Sequence, residues 1–285
     1  MNEEQVKAFW QSNPCGDMQV GGLNSFNEEY QQFFEAYDAF RYGEYPELLR
    51  LLDTMDFSGK TVLEIGLGEG ADSEQIILRG GKWSGVDLTE ESVERVRARL
   101  KLHNLPYREL KQGTVLKLPF PDKSFDKVYS CGVLHHVPEV QQAQKEINRV
   151  LKPNGELIVM LYAKVSLNYL FSIFVLRRLA MAVLYLTGIK GKPGSKIAQH
   201  LENARKDGLF NYLRMKHFIH RNTDGPLNPY TKVYTFREVK HDFPDFVVMK
   251  AYKSFMHAPP LPVHGMPFRR VFGWHLWVHL CPKGE

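Results

Sequence analysis

The residues of this chain best suited to chemistry are Glu64-Ile65-Gly66-Leu67-Gly68-Glu69-Gly70 and, a short way on, Asp87. The glycines follow a GxGxG spacing, not GxGxxG. They permit backbone angles closed to other residues and let the main chain approach a ligand, while a helix starting there offers free N–H groups. Asp87 ends the next apolar run, where a carboxylate can accept two hydrogen bonds from a ribose diol. A tight turn and a helix-capping aspartate are the bland readings of the same residues. His135, in Leu134-His135-His136, titrates near neutrality and is the candidate general base; a purely structural histidine pair is the alternative.

The elements that must position these residues read as an alternation of short apolar runs and amphipathic segments, the pattern of βαβ units. Lys60–Ile65 is a strand that stops at the glycines, and Ala71–Arg79 a helix. Lys82–Val86 is a second strand, and Thr89 caps a helix over Glu90–His103. Pro106–Leu110, Ser124–Ser130 and Glu156–Leu161 give further strands, the last following the turn Pro153-Asn154-Gly155, with a helix over Glu139–Leu151. A helix over residues 26–42 carries an aromatic face of Tyr30, Phe33, Phe34, Tyr37 and Phe40, and a second spans Pro46–Met55. Residues 163–230 show helical apolar patterns without a clear strand, and then Phe246–Phe255 and Gly273–Cys281 form an antiparallel pair at the sheet edge.

The organisation expected is one domain: an N-terminal helical cover (1–58), a cofactor-binding core (59–162), a helical insertion or lid (163–230) and a segment completing the same sheet (231–285). The fold class is α/β, a seven-stranded, mostly parallel sheet with an antiparallel last strand and helices on both faces.

A net charge of +5 over 285 residues is far from the clustered basic stripe of a nucleic-acid binder, so no nucleic-acid partner is expected. Cys15, Cys131 and Cys281 are odd in number and widely spaced, so neither a disulfide framework nor a zinc site follows from them, and no metal is expected. A cytoplasmic location is expected, since MNEEQVKAFW has neither the basic start nor the apolar run of a signal peptide. Leu167–Ile189 is membrane-like, yet Arg177 and Arg178 sit in its middle. Each guanidinium at a bilayer centre costs roughly 2.5–3.5 kcal/mol, so a covering helix is expected there, without stable membrane insertion.

VLEIGLGEG, GVDLT, LPFPDKSFDKVYSCGVLHHV and EINRVLKPNGELIVMLY occur in that order over about residues 60–162. On these strings the chain resembles the class I S-adenosylmethionine-dependent methyltransferases of the small-molecule, ubiquinone-biosynthesis-like type, with weaker similarity at Arg41-Tyr42 and YTFREVKHDFPDF. The resemblance implies a Rossmann-like sheet, S-adenosylmethionine as cofactor and S-adenosylhomocysteine as product. It implies that Glu64, Gly66, Gly68 and Gly70 hold the methionine end, that Asp87 binds the ribose and that Leu88 packs on the adenine. Thr114 and Val115 would lie at the adenine edge, Ser130 and Cys131 beside the cofactor, and His135 and His136 toward the reaction region. The chain departs from the family at Thr114, where an acidic residue usually accepts the adenine amino proton.

On the acceptor side, Tyr37, Arg41 and Tyr42 are expected to close over the cofactor, Arg41 being available to pair a carboxylate. His217, His220 and Arg221 of KHFIHR would form a second wall, with a solvated helical face as the alternative. The acceptor expected is a small molecule, hydrophobic, aromatic or anionic. A nicotinamide-dependent oxidoreductase and a non-catalytic cofactor-binding or membrane-surface module are the competing readings. Arsenic methylation through Cys15 is disfavoured, because a soft ligand set needs several converging thiolates.

Overall fold

The computed structural model describes residues 2–23 and 30–284. Among them, helices α1 (Glu3–Ser12), α2 (Asp17–Val20), α3 (Tyr30–Glu44) and α4 (Leu48–Asp53) precede the sheet. The alternating core is β1 (Thr61–Ile65), α5 (Ala71–Leu78), β2 (Lys82–Asp87), α6 (Glu90–Leu102), β3 (Glu109–Gln112), β4 (Phe125–Cys131), a 3₁₀ turn at Leu134–His136, α7 (Val140–Val150) and β5 (Leu151–Tyr162). A long helix, Asn168–Leu186, then begins as a π-helix over Asn168–Arg177 and continues as α8 (Arg178–Leu186). After α9 (Lys196–Asp207), α10 (Leu209–Tyr212) and α11 (Met215–Arg221), the chain finishes with α12 (Phe236–Asp242), β6 (Phe246–Ser254), α13 (Arg269–Phe272) and β7 (His275–Pro282).

The seven strands form one sheet in the order β3-β2-β1-β4-β5-β7-β6. All neighbouring pairs from β3 to β5 are parallel, and β7 runs antiparallel to both β5 and β6. The central strands are apolar on both faces, as parallel strands covered by helices must be. Successive residues serve opposite layers: Leu63, Val128 and Leu157 pack in one core, and Val62, Tyr129 and Ile158 in the other. The chain order reverses between β1 and β4, so their carboxyl ends diverge and leave a crevice there.

Several boundaries differ from the sequence pattern for identifiable reasons. The third strand lies at Glu109–Gln112 instead of Pro106–Leu110, because this half-buried edge strand is set by pairing with β2, not by its own apolar content. β5 begins at Leu151, five residues early. Phe125 pairs with Leu151 and Lys127 with Glu156, so Pro153-Asn154-Gly155 is absorbed as an irregularity within the ladder. Thr89 does cap α6, its hydroxyl accepting from Ser92 N at 3.4 Å. Residues 26–29 of the expected N-terminal helix lie outside the described residues; in α3, Phe33, Phe34 and Tyr37 are buried while Tyr30 is exposed.

Residues between β5 and α12 build their own small core from Ile173, Met181, Leu201, Tyr212 and Phe218, closed by Trp274. The N-terminal helices are joined to the far edge of the sheet through Tyr45. Its hydroxyl lies 2.5 Å from Ser254 Oγ and accepts from Trp277 Nε1 at 2.9 Å. Removing that oxygen leaves a buried indole N–H and a buried hydroxyl without a partner. Tyr45→Phe is therefore expected to lower stability by about 1–3 kcal/mol, read as a lower midpoint in denaturant at unchanged slope.

Candidate active site

A cleft opens at the carboxyl ends of β1, β2 and β4. Its floor is the glycine loop. Gly66 has φ of +78°, and a Cβ built on it would lie 2.1 Å from Val133 Cγ2, so both the angle and the space demand glycine. Gly68 also has positive φ, at +52°, and faces open space beyond Cys15 Cβ at 3.7 Å. No side chain caps α5, leaving its first N–H groups directed at the cleft, which Ala71 and Asp72 line.

Asp87 ends β2 at the cleft wall. Its Oδ2 accepts from Leu67 N at 2.7 Å, and its Oδ1 accepts from Thr89 N and Thr89 Oγ1, each at 2.8 Å. Burial raises its pKa, and the bonds from Thr89 and Leu67 pull the other way. Both lone pairs of Oδ1 are thereby engaged, and Oδ2 keeps one for a ribose hydroxyl. Glu64 is almost fully buried one turn below and accepts from Trp83 Nε1 at 2.7 Å. Burial, reinforced by the nearby Asp72 charge, pushes the Glu64 pKa up to about 8.

The roof is the N-terminal segment, of which the sequence pattern singles out Tyr37, Arg41 and Tyr42 but no residue of α1. Glu3, Val6 and Trp10 of α1 reach into the cleft, as do Cys15, Tyr37 and Arg41. The Thr114 hydroxyl donates to the Glu3 carboxylate. The chain thus brings an acid from α1 to the place where the loop after β3 carries threonine. Nothing in the local sequence links positions 3 and 114, so only the fold reveals the pair.

Among the sequence-derived site residues, Glu64, Gly66, Gly68, Asp87, Leu88, Val115 and Cys131 line the cleft, as do Tyr37, Arg41 and His136. Thr114 stands just behind the wall. Gly70 turns away toward Val96, and the Ser130 hydroxyl is committed to Ile65 O at 3.1 Å. Tyr42 bonds Ala71 O at 3.4 Å without lining the cleft. Arg41, expected to await a ligand carboxylate, is already engaged: Asp72 accepts from its Nη2 at 2.7 Å and its Nε at 3.1 Å. The Cys131 thiol is pushed up to about 12 by burial and the neighbouring Asp72, so it stays protonated.

Of the histidine pair, His136 and not His135 lines the cleft. His135 is fully buried, packed on Tyr162 with ring centroids 3.8 Å apart, and burial holds its pKa well below the usual histidine value. It does not reach the cleft, because the 3₁₀ turn aims it at β5 and its neighbour outward. His136 Nδ1 lies 2.7 Å from Tyr230 O, which fixes the proton on that nitrogen, and its Nε2 lies 3.4 Å from Asp224 Oδ2. His217 and Arg221 line a separate small pocket with His220, and Arg221 is paired with Asp207 at 2.6 Å. They are held there because α11 belongs to the insertion's own core.

A glycine loop, an uncapped helix start and a strand-end aspartate at the switch point of an open α/β sheet are the features that bind a nucleotide-type ligand. Residues 63–159 match the family described as "Methyltransferase domain". The chain is 36% identical over 102 residues to a fatty-acid O-methyltransferase of Mycolicibacterium smegmatis, covering 35% of this chain and 36% of that protein. It is 36% identical over 103 residues to a demethylmenaquinone methyltransferase of Tropheryma whipplei, covering 36% and 41%. The chain thus spans well under half the length of these curated relatives. A solved S-adenosylmethionine-dependent methyltransferase from Mesorhizobium loti shares the fold, with a TM-score of 0.52 at 16% identity over 84% of this chain and 97% of that one. Residues 63–159 are thus similar to a methyltransferase domain, whose cofactor is S-adenosylmethionine, and the comparisons do not favour the nicotinamide reading.

Glu64 generates a pH dependence of stability. The folded protein holds its proton to about pH 8, whereas the ordinary carboxyl releases it near 4.5. The contribution is complete below the lower value and is lost as pH rises to the upper one, by up to about 1.4 kcal/mol per pH unit. Burial pushes Glu69 in the same direction, opposed by the Arg95 guanidinium paired with it. Glu64→Gln keeps an acceptor for Trp83 and should roughly halve the fall in melting temperature between pH 5 and 8; an unchanged slope would remove Glu64 as its source. For the roof acid, Glu3→Gln is expected to weaken S-adenosylmethionine binding about tenfold in calorimetry through loss of a charged acceptor.

Proposed function

We propose that this chain transfers a methyl group from S-adenosylmethionine to a hydrophobic small molecule bound in the same cleft. The observation that carries the reading is the lining of the cleft: beside Asp87, Leu88 and the glycine loop it presents Trp10, Tyr37, Val133, Val137 and His136. The aromatic and aliphatic side chains among these suit an apolar molecule oriented by one or two hydrogen bonds. The names of the two relatives, a fatty-acid and a demethylmenaquinone methyltransferase, are consistent with an apolar acceptor.

Bound S-adenosylmethionine supplies an activated methyl group open to in-line attack. In this reading the Gly66 and Gly68 backbone and the first N–H groups of α5 hold the methionine end. Asp87 accepts from a ribose hydroxyl, Leu88 and Val115 pack on the base, and Glu3 accepts from the adenine amino group in place of the absent loop acid. The protein's main contribution is alignment and exclusion of water, which α1 provides from above.

His136, not His135, is the acceptor-side base. With Nδ1–H directed at Tyr230 O, its Nε2 keeps the lone pair, and the Asp224 carboxylate stabilises the imidazolium formed when an acceptor proton arrives. Tyr162 donates to the same carboxylate at 2.8 Å and holds it in place.

Calorimetric titration with S-adenosylmethionine and S-adenosylhomocysteine tests the reading, followed by turnover of radiolabelled methyl into an apolar acceptor panel. Saturable binding abolished in Asp87→Ala is expected. His136→Asn should retain binding and lose about a hundredfold in turnover. Binding without methyl transfer to any acceptor would sink the catalytic reading, and undiminished turnover in His136→Asn would sink the base assignment alone.

A further inference from the structure

The Asn168–Leu186 helix is long and apolar enough to cross a membrane, with mean hydropathy 1.7, yet only 17% of that stretch is buried within the protein. Its two faces differ sharply. The inner face is fastened to the body by Ile173 and Met181 in the insertion's core and by Ser172 donating to Pro259 O. Arg177 donates from Nη1 to Asn222 O at 2.7 Å and from Nη2 to Pro259 O at 3.0 Å. The outer face exposes Phe171, Phe174, Val175, Leu179, Val183 and Leu186, with Leu186 77% accessible. These residues recur every three or four positions, so they form one stripe about 22 Å long. A stripe of large apolar side chains on this scale marks an interaction surface.

The charge around the stripe identifies what covers it. Residues 163–230 contain eleven Lys and Arg against three Asp and Glu, whereas the rest of the chain holds twenty-six against twenty-nine. Lys190, Lys192 and Lys196 follow directly on the helix, all exposed and, among the described residues, outside any ion pair. Arg178 lies within the stretch itself, its guanidinium 5.1 Å from the centre of the Phe174 ring. An apolar face edged by unpaired cations complements a bilayer whose headgroups carry negative charge. Crossing the bilayer is a different matter. It would strip Arg177 from its two carbonyls, open the core around Ile173 and Met181, and place two guanidiniums in hydrocarbon.

We propose that the outer face of the Asn168–Leu186 helix docks this protein on an anionic lipid bilayer. The helix lies in the plane of the interface, with Phe171, Phe174, Leu179 and Leu186 below the headgroups and Lys190, Lys192 and Lys196 among them. The docking stands apart from the methyl-transfer reading, since none of these residues lines the cleft. The two sites are nonetheless close along the chain. Arg177 holds Asn222 O, and Asp224, two residues on, stands beside His136.

Flotation with vesicles tests the proposal directly. The full chain is mixed with vesicles of phosphatidylcholine alone and of phosphatidylcholine with an equal part of phosphatidylglycerol, at low and high salt. Binding to the anionic vesicles is expected, weakened by salt as screening shortens the reach of the lysines. Phe174→Glu with Leu179→Glu should cut that binding about tenfold or more, and Lys190→Glu, Lys192→Glu and Lys196→Glu together about a hundredfold. Both variants should keep wild-type circular dichroism and S-adenosylmethionine affinity, since the substituted side chains are exposed. Failure of the folded wild-type protein to float overturns the proposal. So does a stripe variant that floats equally well. If the stripe variant instead turns a dimer into a monomer in size-exclusion chromatography and lipid has no effect, the face belongs to a second copy. Binding indifferent to lipid charge and resistant to salt and alkaline carbonate would mean a spanning helix, and would likewise overturn it.

Discussion

Three arginines hold the roof of the cleft over its floor. Arg95, 6% accessible, is paired with Asp17 of α2 at 2.5 Å and with Glu69 of the glycine loop at 2.8 Å. Arg99, fully buried one turn along α6, joins Glu74 of α5 to Asp38 of α3. Arg41 of α3 grips Asp72 at the start of α5. The rings of Phe33 and Phe34 lie 5.4 Å and 5.2 Å from the Arg95 and Arg99 guanidiniums, filling the space that the charges leave. Buried pairs of this kind add little net stability, because desolvation consumes most of the Coulombic gain, but losing one partner strands the other charge. Their consequence is positional: the roof cannot shift without breaking bonds to the loop that carries the cofactor contacts.

That coupling explains which parts of the site the sequence discloses. The glycine loop and Asp87 are local features, each encoded by a few adjacent residues at the end of an apolar run, so spacing alone finds them. The order of strands follows from the same runs. Arg95 and Asp17 are 78 positions apart and Thr114 and Glu3 are 111 apart. No periodicity connects such pairs, and an arginine on an amphipathic helix reads as solvent-facing until its partners are known. The edge strand β3 illustrates the same limit at the level of secondary structure, since Glu109, Lys111 and Gln112 extend only because β2 offers a ladder.

The histidine pair shows how finely a site depends on backbone geometry that residue type does not encode. Both side chains could serve as a base in principle. In a strand, neighbours point to opposite faces, but in the 3₁₀ turn at Leu134–His136 the outcome rests on where the turn begins. It begins so that His135 goes inward against Tyr162 at the carboxyl end of β5. His136 meets Trp10 of the roof, with ring centroids 5.2 Å apart, and Asp224 of the insertion. One residue therefore touches all three parts of the molecule.

The meeting of core, roof and insertion at His136 separates what is shared from what is particular. The family match ends at residue 159, and the relatives align over about 100 residues. That stretch supplies the cofactor contacts of β1, β2 and β4. Beside them the cleft is lined by Trp10 of α1 and by Tyr37, which lie outside that stretch, and by His136 within it, which Asp224 and Tyr230 of the insertion hold from behind. Those segments carry their own ties, such as Asn228 to Thr231 at 2.7 Å and Thr223 to Thr231 at 2.8 Å, which keep the Asp224 turn rigid beside the imidazole. The cleft therefore combines residues of the matched stretch with Trp10 and Tyr37 from outside it. The same insertion that holds Asp224 beside His136 carries the apolar stripe, so its packing bears on both.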